Sequence, residues 1–222
     1  SDALTQGTNL IGTATILQNY EPSIEGGYEK ILGYTKYSTT AVTSTGPILG
    51  VKVALGRVYA ARNNDIYTST GTSWTALCAG ARTGAKTKVR FIKYSISEPV
   101  VVFTDGVNHA GKHDGTNYTL LNGASAPADP KYAMMFLSRL VLAGYSADPY
   151  SISISAPNND EDFTAVSGAA DVNVGDLVVG LRTFREIPYI FCQNSIYKIE
   201  GSSLSDFKIT PVTRSIGCVS GD

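Results

Sequence analysis

The sequence predicts an all-β fold: β-propeller-like repeats of short antiparallel strands, forming an incomplete propeller in this chain. Three observations predict it. First, one pattern recurs at Arg57 to Trp74 (RVYAARNNDIYTSTGTSW), Pro99 to Tyr118, Arg139 to Phe163 and Pro188 to Phe207. Each copy runs from a short apolar strand through an Asn, Asp or Gly turn into a second strand, then through a small-polar loop to an aromatic. Second, the closing aromatics Trp74, Tyr118, Phe163 and Phe207 are spaced by 44, 45 and 44 residues, the period of a four-stranded blade. Third, with 22 Gly, 13 Tyr and 17% charged residues, the composition suits strands joined by many turns better than a helical bundle.

In chain order, residues 1–47 form an N-terminal arm and strand/loop segment. GTATILQNY looks like an extended arm or edge strand. Within Glu21 to Tyr37, Gly26-Gly27 signals a turn. The i, i+3 spacing of Tyr28, Ile31, Tyr34 and Tyr37 would also fit a helix, but Gly33 and the neighbouring Tyr and Thr favour strand and loop. Residues 48–222 form the blades, at approximately 48–80, 86–125, 131–166 and 172–210, with a further blade beginning at 211–222. ILGVKVAL opens blade one, Asn63-Asn64-Asp65 makes its hairpin turn, and IYTST and SWTAL complete it. KVRFIKYS opens blade two, with NYTLL as its last strand. KYAMMFLSRLVLAGY could pass for a helix, but its second half occupies the strand slot of the repeat. DVNVGDLVVGLRTFREIPYIFCQ supplies strands of blade four, and KITPVTRSIGCVSGD starts the next. The missing initiator Met and the stop after GCVSGD predict a piece of a longer chain.

Composition sets bounds on function. The net charge of −1 points to neither nucleic acid nor an anionic membrane, and no apolar run approaches the roughly 18 residues of a membrane span. There is no signal-peptide pattern at the start. Cys78, Cys192 and Cys218 are scattered and odd in number, so they suit small buried apolar residues better than a disulfide framework or a metal site.

Several constellations could carry chemistry. His109 and His113 share a turn region with Asp105 and Asp114, but NHAGKHDG is a glycine-containing turn where the rings need not converge, so surface turn histidines are expected. Asp160-Glu161-Asp162 after Asn158-Asn159 gathers oxygen ligands yet lacks the glycine and distal glutamate of a calcium loop. Asn117-Tyr118-Thr119 is a formal glycosylation sequon. No phosphate-binding glycine loop, nucleophile elbow or paired His-Glu motif occurs. No catalytic, cofactor-binding or metal residues are therefore assigned, no cofactor is expected, and a non-enzymatic protein is expected. A basic run, Arg82, Lys86, Lys88, Arg90 and Lys93, contains no acid. Lys86, Lys88 and Arg90 alternate, so a strand would present them on one face, either as a solvated blade face or as a patch for phosphates or an acidic partner.

The opening Asn19, Tyr20, Pro22, Glu25, Gly26, Gly27, Tyr28, Gly33 and Tyr34, followed by these repeats, resembles the tail nozzle (tail tubular protein B-like) proteins of short-tailed bacteriophages and related virion structural proteins. The opening is distinctive, whereas the blade pattern is shared by many propellers. The resemblance implies a hexameric ring in the phage tail that docks adaptor and tail-fibre or spike proteins and surrounds the channel through which DNA leaves, with transient, non-specific DNA contact. It transfers no catalytic residues. Two other classes fit a propeller. A carbohydrate-binding or adhesin-type module would expose Trp74 and Tyr118 to its ligand. A propeller glycosidase would need paired carboxylates, for which Asp105, Asp114, Asp65 and Glu98 are the nearest candidates.

Overall fold

A computed structural model describes residues 19–22, 27–31, 33, 35–78, 82–203 and 205–220. The chain divides into two compact units, Ser1–Tyr37 and Ser38–Asp222. In the first, β1 (Tyr20–Pro22) pairs antiparallel with β2 (Tyr28–Lys30), with Pro22 opposite Tyr28. This is the strand arrangement expected there; the predicted arm over residues 1–18 lies outside the described residues.

Among the described residues, the second unit contains four sheets, each four-stranded and antiparallel. Sheet one is β3 (Ile48–Ala54), β4 (Arg57–Arg62), β5 (Asp65–Ser69) and β6 (Thr75–Ala76). Sheet two is β7 (Arg90–Ser95), β8 (Pro99–Thr104), β9 (Gly111–His113) and β10 (Tyr118–Leu120). Sheet three is β11 (Tyr132–Phe136), β12 (Arg139–Ala143), β13 (Ser151–Ile154) and β14 (Ala170–Asn173). Sheet four is β15 (Val178–Phe184), β16 (Ile187–Cys192), β17 (Ile196–Glu200) and β18 (Lys208–Thr213). In each sheet the strands pair in the order in which the chain makes them. The all-β, β-propeller-like fold is thus observed.

The turns explain this regularity. The first hairpins of sheets one, three and four close over two residues, Leu55-Gly56, Leu137-Ser138 and Arg185-Glu186, all with positive φ. Two consecutive positive φ angles match the right-handed strand twist. Only the first of these turns uses a glycine.

Three boundaries differ from the sequence expectation. Residues 38–47 belong to the second unit: Ser38 Oγ donates to Thr72 O (3.0 Å), Arg62 Nε donates to Gly46 O (2.8 Å), and Thr43 Oγ1 lies 3.2 Å from Tyr67 OH. Residues 170–173 close sheet three instead of opening blade four. After a 3-10 turn at Ala165–Ser167, Ile152 pairs with Val172, whose side chain reaches the core between sheets three and four. Residues 208–213 do not begin a further blade. They are the outer strand of sheet four, Glu200 pairing with Lys208, and Ile209 packs into the same core.

The core lies between sheets, and strand alternation selects the side. Val101 and Phe103 of β8 face sheet one, joining Tyr59 and Ala61, while Val100 and Val102 face sheet three, joining Leu140 and Leu142. On β12, Val141 and Ala143 turn the other way, onto Leu181 and Ile190 of sheet four. Successive side chains on a strand point to opposite faces, so a strand covered on both sides is apolar throughout, as VVVF and LVLA are. Three of the four closing aromatics join these layers. Tyr118 stacks on Phe103 with ring centroids 5.8 Å apart, Phe163 is buried between sheets two and three, and Phe207 lies 5.3 Å from Phe136.

Candidate functional site

The first strand of each sheet is an edge strand, and the four first strands converge on a groove of about 680 Å³. Gly50 permits the closest approach: a side chain there would collide with Val89 O, and Val89 N donates to Leu49 O at 2.9 Å. The groove floor is apolar, with Phe91, Met134 and Leu181 among its residues. Its described charged residues all carry one sign. Lys52 comes from β3, Lys88 from just before β7, Arg90 and Lys93 from β7, and Arg182 from β15, with no Asp or Glu among the described lining residues. The Arg90 guanidinium sits 4.8 Å above the Tyr132 ring of β11, a cation–π contact that fixes its plane.

The basic run seen in the sequence is therefore split. Only Lys88, Arg90 and Lys93 reach the groove. Arg82 is fully buried at the start of the run, its Nη2 2.7 Å from Asp105 Oδ2, and it donates to His109 O. Lys86 donates to Asn64 Oδ1, Thr83 O and Gly84 O, and burial lowers its pKa. The expected single face fails because β7 begins only at Arg90, so Lys86 does not lie on that strand. Lys52 and Arg182 were missed because each is a single cation in an apolar strand. The repeat does carry a signal: Lys93 and Arg182 both stand 25 residues before their closing aromatic, Tyr118 − 93 and Phe207 − 182.

The histidines do not converge. His109 donates from Nδ1 to Pro127 O at 3.0 Å, whereas His113 is 1% exposed and accepts at Nδ1 from Tyr59 OH (2.9 Å) and from Gly115 N. The surface position expected for His113 is thus corrected: it belongs to the seam between sheets one and two, and burial lowers its pKa. Asp105 binds Arg82 and accepts from the backbone N–H of Val107 and Asn108. Asp65 accepts from Tyr67 OH on sheet one. Asp114, Glu98 and Asp160 line a second cavity of about 440 Å³, so the structure brings two of the four candidate carboxylates together.

The acidic loop is tied into that cavity wall. Asp160 accepts from Tyr94 OH (2.5 Å) and from Lys112 Nζ (2.7 Å), and Lys112 also pairs with Glu161. Burial acts to lower the Lys112 pKa, but the two carboxylates outweigh it and hold the pKa above its ordinary value. Burial and the Asp160 charge push the Tyr94 phenol far up. Asp162 accepts from Thr164 N and Oγ1, turning the chain toward the 3-10 segment. Among the described residues, no group of three or more His, Cys, Asp or Glu side chains is placed to hold a metal ion. Cys78 and Cys192 are buried, and burial pushes the Cys192 thiol up to about 12, where little reactive thiolate forms.

No protein-family model and no curated protein matches the sequence. Solved structures do. The computationally designed Ika8 protein aligns at TM-score 0.50 with 12% identity, over 78% of this chain and 50% of its own. YCF48 from Cyanidioschyzon merolae, which is β-propeller-like, aligns at TM-score 0.50 with 12% identity, over 86% of this chain and 65% of its own. The chain thus spans half of the first and under two-thirds of the second, and identity this low speaks for the fold alone.

Proposed function

We propose that this chain is a non-enzymatic structural component of a bacteriophage tail, a nozzle-like ring protein. It forms part of the wall of the DNA-ejection channel and docks adaptor and tail-fibre proteins in the virion. The observation that carries the reading is the opening segment. Its Asn19 to Tyr34 motif resembles that of nozzle proteins, and its described part pairs Tyr20–Pro22 with Tyr28–Lys30, leaving Tyr20 and Tyr28 exposed at 47% and 49%. Such half-exposed aromatics suit a contact with a neighbouring subunit. Two further features support it. Tyr118, Phe163 and Phe207 are packed in the layers between sheets, which favours a scaffold over a ligand-presenting module. The net charge of −1 suits a wall past which DNA moves without being held.

The test is the mass of the assembly by multi-angle light scattering. A closed ring of about six or twelve head-to-tail subunits is expected. A monomer at every concentration overturns the ring reading.

A further inference from the structure

We infer that the groove between the four first strands is a binding site for a chain of phosphate groups. The inference is independent of the phage-tail reading and rests on the groove alone. Five cationic residues, Lys52, Lys88, Arg90, Lys93 and Arg182, line it, and among the described residues no Asp or Glu does. They come from sheets one, two and four, so the fold itself gathers charges that lie as much as 130 residues apart in the sequence (182 − 52). A cleft lined by one sign of charge with low-dielectric walls focuses the field and concentrates counter-ions. At about 680 Å³ it has the size of a ligand-binding cleft.

The chemistry favours phosphate. Lysine ammonium groups act as point charges for phosphate oxygens, and arginine adds a planar fork; the ring of Tyr132 already orients the Arg90 fork. A single nucleic-acid strand carries a charge about every 3.4 Å, and inorganic polyphosphate is at least as dense. An extended acidic peptide turns alternate side chains to opposite faces, so only half its carboxylates would meet the groove. The phosphates could come from a single-stranded nucleic acid or from free polyphosphate.

The experiment uses fluorescence anisotropy of a labelled thymidine oligomer of about twelve nucleotides, titrated at about 50 mM salt and above. Saturable binding is expected, with a log–log salt slope of about −3.5 for five phosphate contacts. Lys93→Glu, at an exposed strand position, and Lys52→Gln are each expected to weaken binding about tenfold and to make the slope shallower by about 0.7. Lys208→Glu, in the outer strand of sheet four, should change affinity less than about twofold. Displacement by inorganic polyphosphate supports recognition of the phosphate chain from either source; failure to displace, with the variants weakening as expected, supports a nucleic-acid strand. No binding, binding unaffected by Lys93→Glu and Lys52→Gln, or equal binding of oligoglutamate overturns the inference.

Discussion

Sheets two and three differ from sheets one and four in what covers them. In the inner pair, β8 and β12 are buried nearly throughout, because a neighbouring sheet packs on each face. In the outer pair, one face meets a neighbour and the other carries apolar side chains to the surface: Val51 and Val53 on sheet one, exposed 60% and 71%, and Phe184 on sheet four, exposed 62%. The strand pattern is shared by all four. Burial is thus set by position in the series, and the outer faces are where further protein would pack. Sheet one is partly relieved by residues 38–47, which reach Tyr67 on that side.

The largest break in this contrast should come from the buried ion pair of sheet two. Asp105→Ala leaves the Arg82 guanidinium uncompensated, which costs about 3–5 kcal/mol, and strips two backbone N–H groups of their acceptor at about 1–2 kcal/mol more. Urea unfolding should therefore show a severely destabilised or unfolded variant. The exposed Lys198–Glu200 pair of sheet four is the counterpart, and Glu200→Gln should leave the urea midpoint unchanged. A small effect of Asp105→Ala would mean the inner sheet does not depend on that pair.

Next in size is an apolar truncation in each environment. Leu142→Ala, fully buried between sheets two and three, should cost about 3–5 kcal/mol. Val53→Ala, on the open face of sheet one, should stay within about 0.5 kcal/mol. Equal losses would show that the face at Val53 is covered in solution.

The smallest effect concerns pH and the seam between an outer and an inner sheet. Burial lowers the pKa of His113 below its ordinary 6.5, with Asp114 opposing and Arg57 reinforcing the shift. The unfolded chain then binds the proton more readily than the fold does. This contribution to stability is complete above pH 6.5 and is lost as pH falls through the folded-state pKa. Hydrogen exchange should report sheet one loosening from sheet two on acidification from pH 7.5 to 5, before the inner seam responds. His113→Gln should remove that pH dependence; an unchanged profile would place its origin elsewhere.

Much of this fold was legible in the sequence. Three of the four aromatics stand at the entrance to the outer strand: Trp74 just before β6, Tyr118 at the start of β10 and Phe207 just before β18. Phe163 departs, because the 3-10 turn and its flanks intervene before β14, and the boundary between blades three and four was misplaced there. The site was legible only in part. The local run gave Lys88, Arg90 and Lys93, but Lys52 and Arg182 join them only through folding.

The blade period and the alternation of residues along each strand were readable from the order of residues, because both depend on local backbone sterics and side-chain direction; the turns at Leu137-Ser138 and Arg185-Glu186 were not, because neither contains a glycine. Tertiary structure alone decided the rest. It buried His113 beneath Tyr59, paired Arg82 with Asp105, gave residues 208–213 to sheet four and drew five cations around one groove. Each of these depends on which segments meet across long stretches of chain, and electrostatics and burial follow that proximity, which the order of residues does not state.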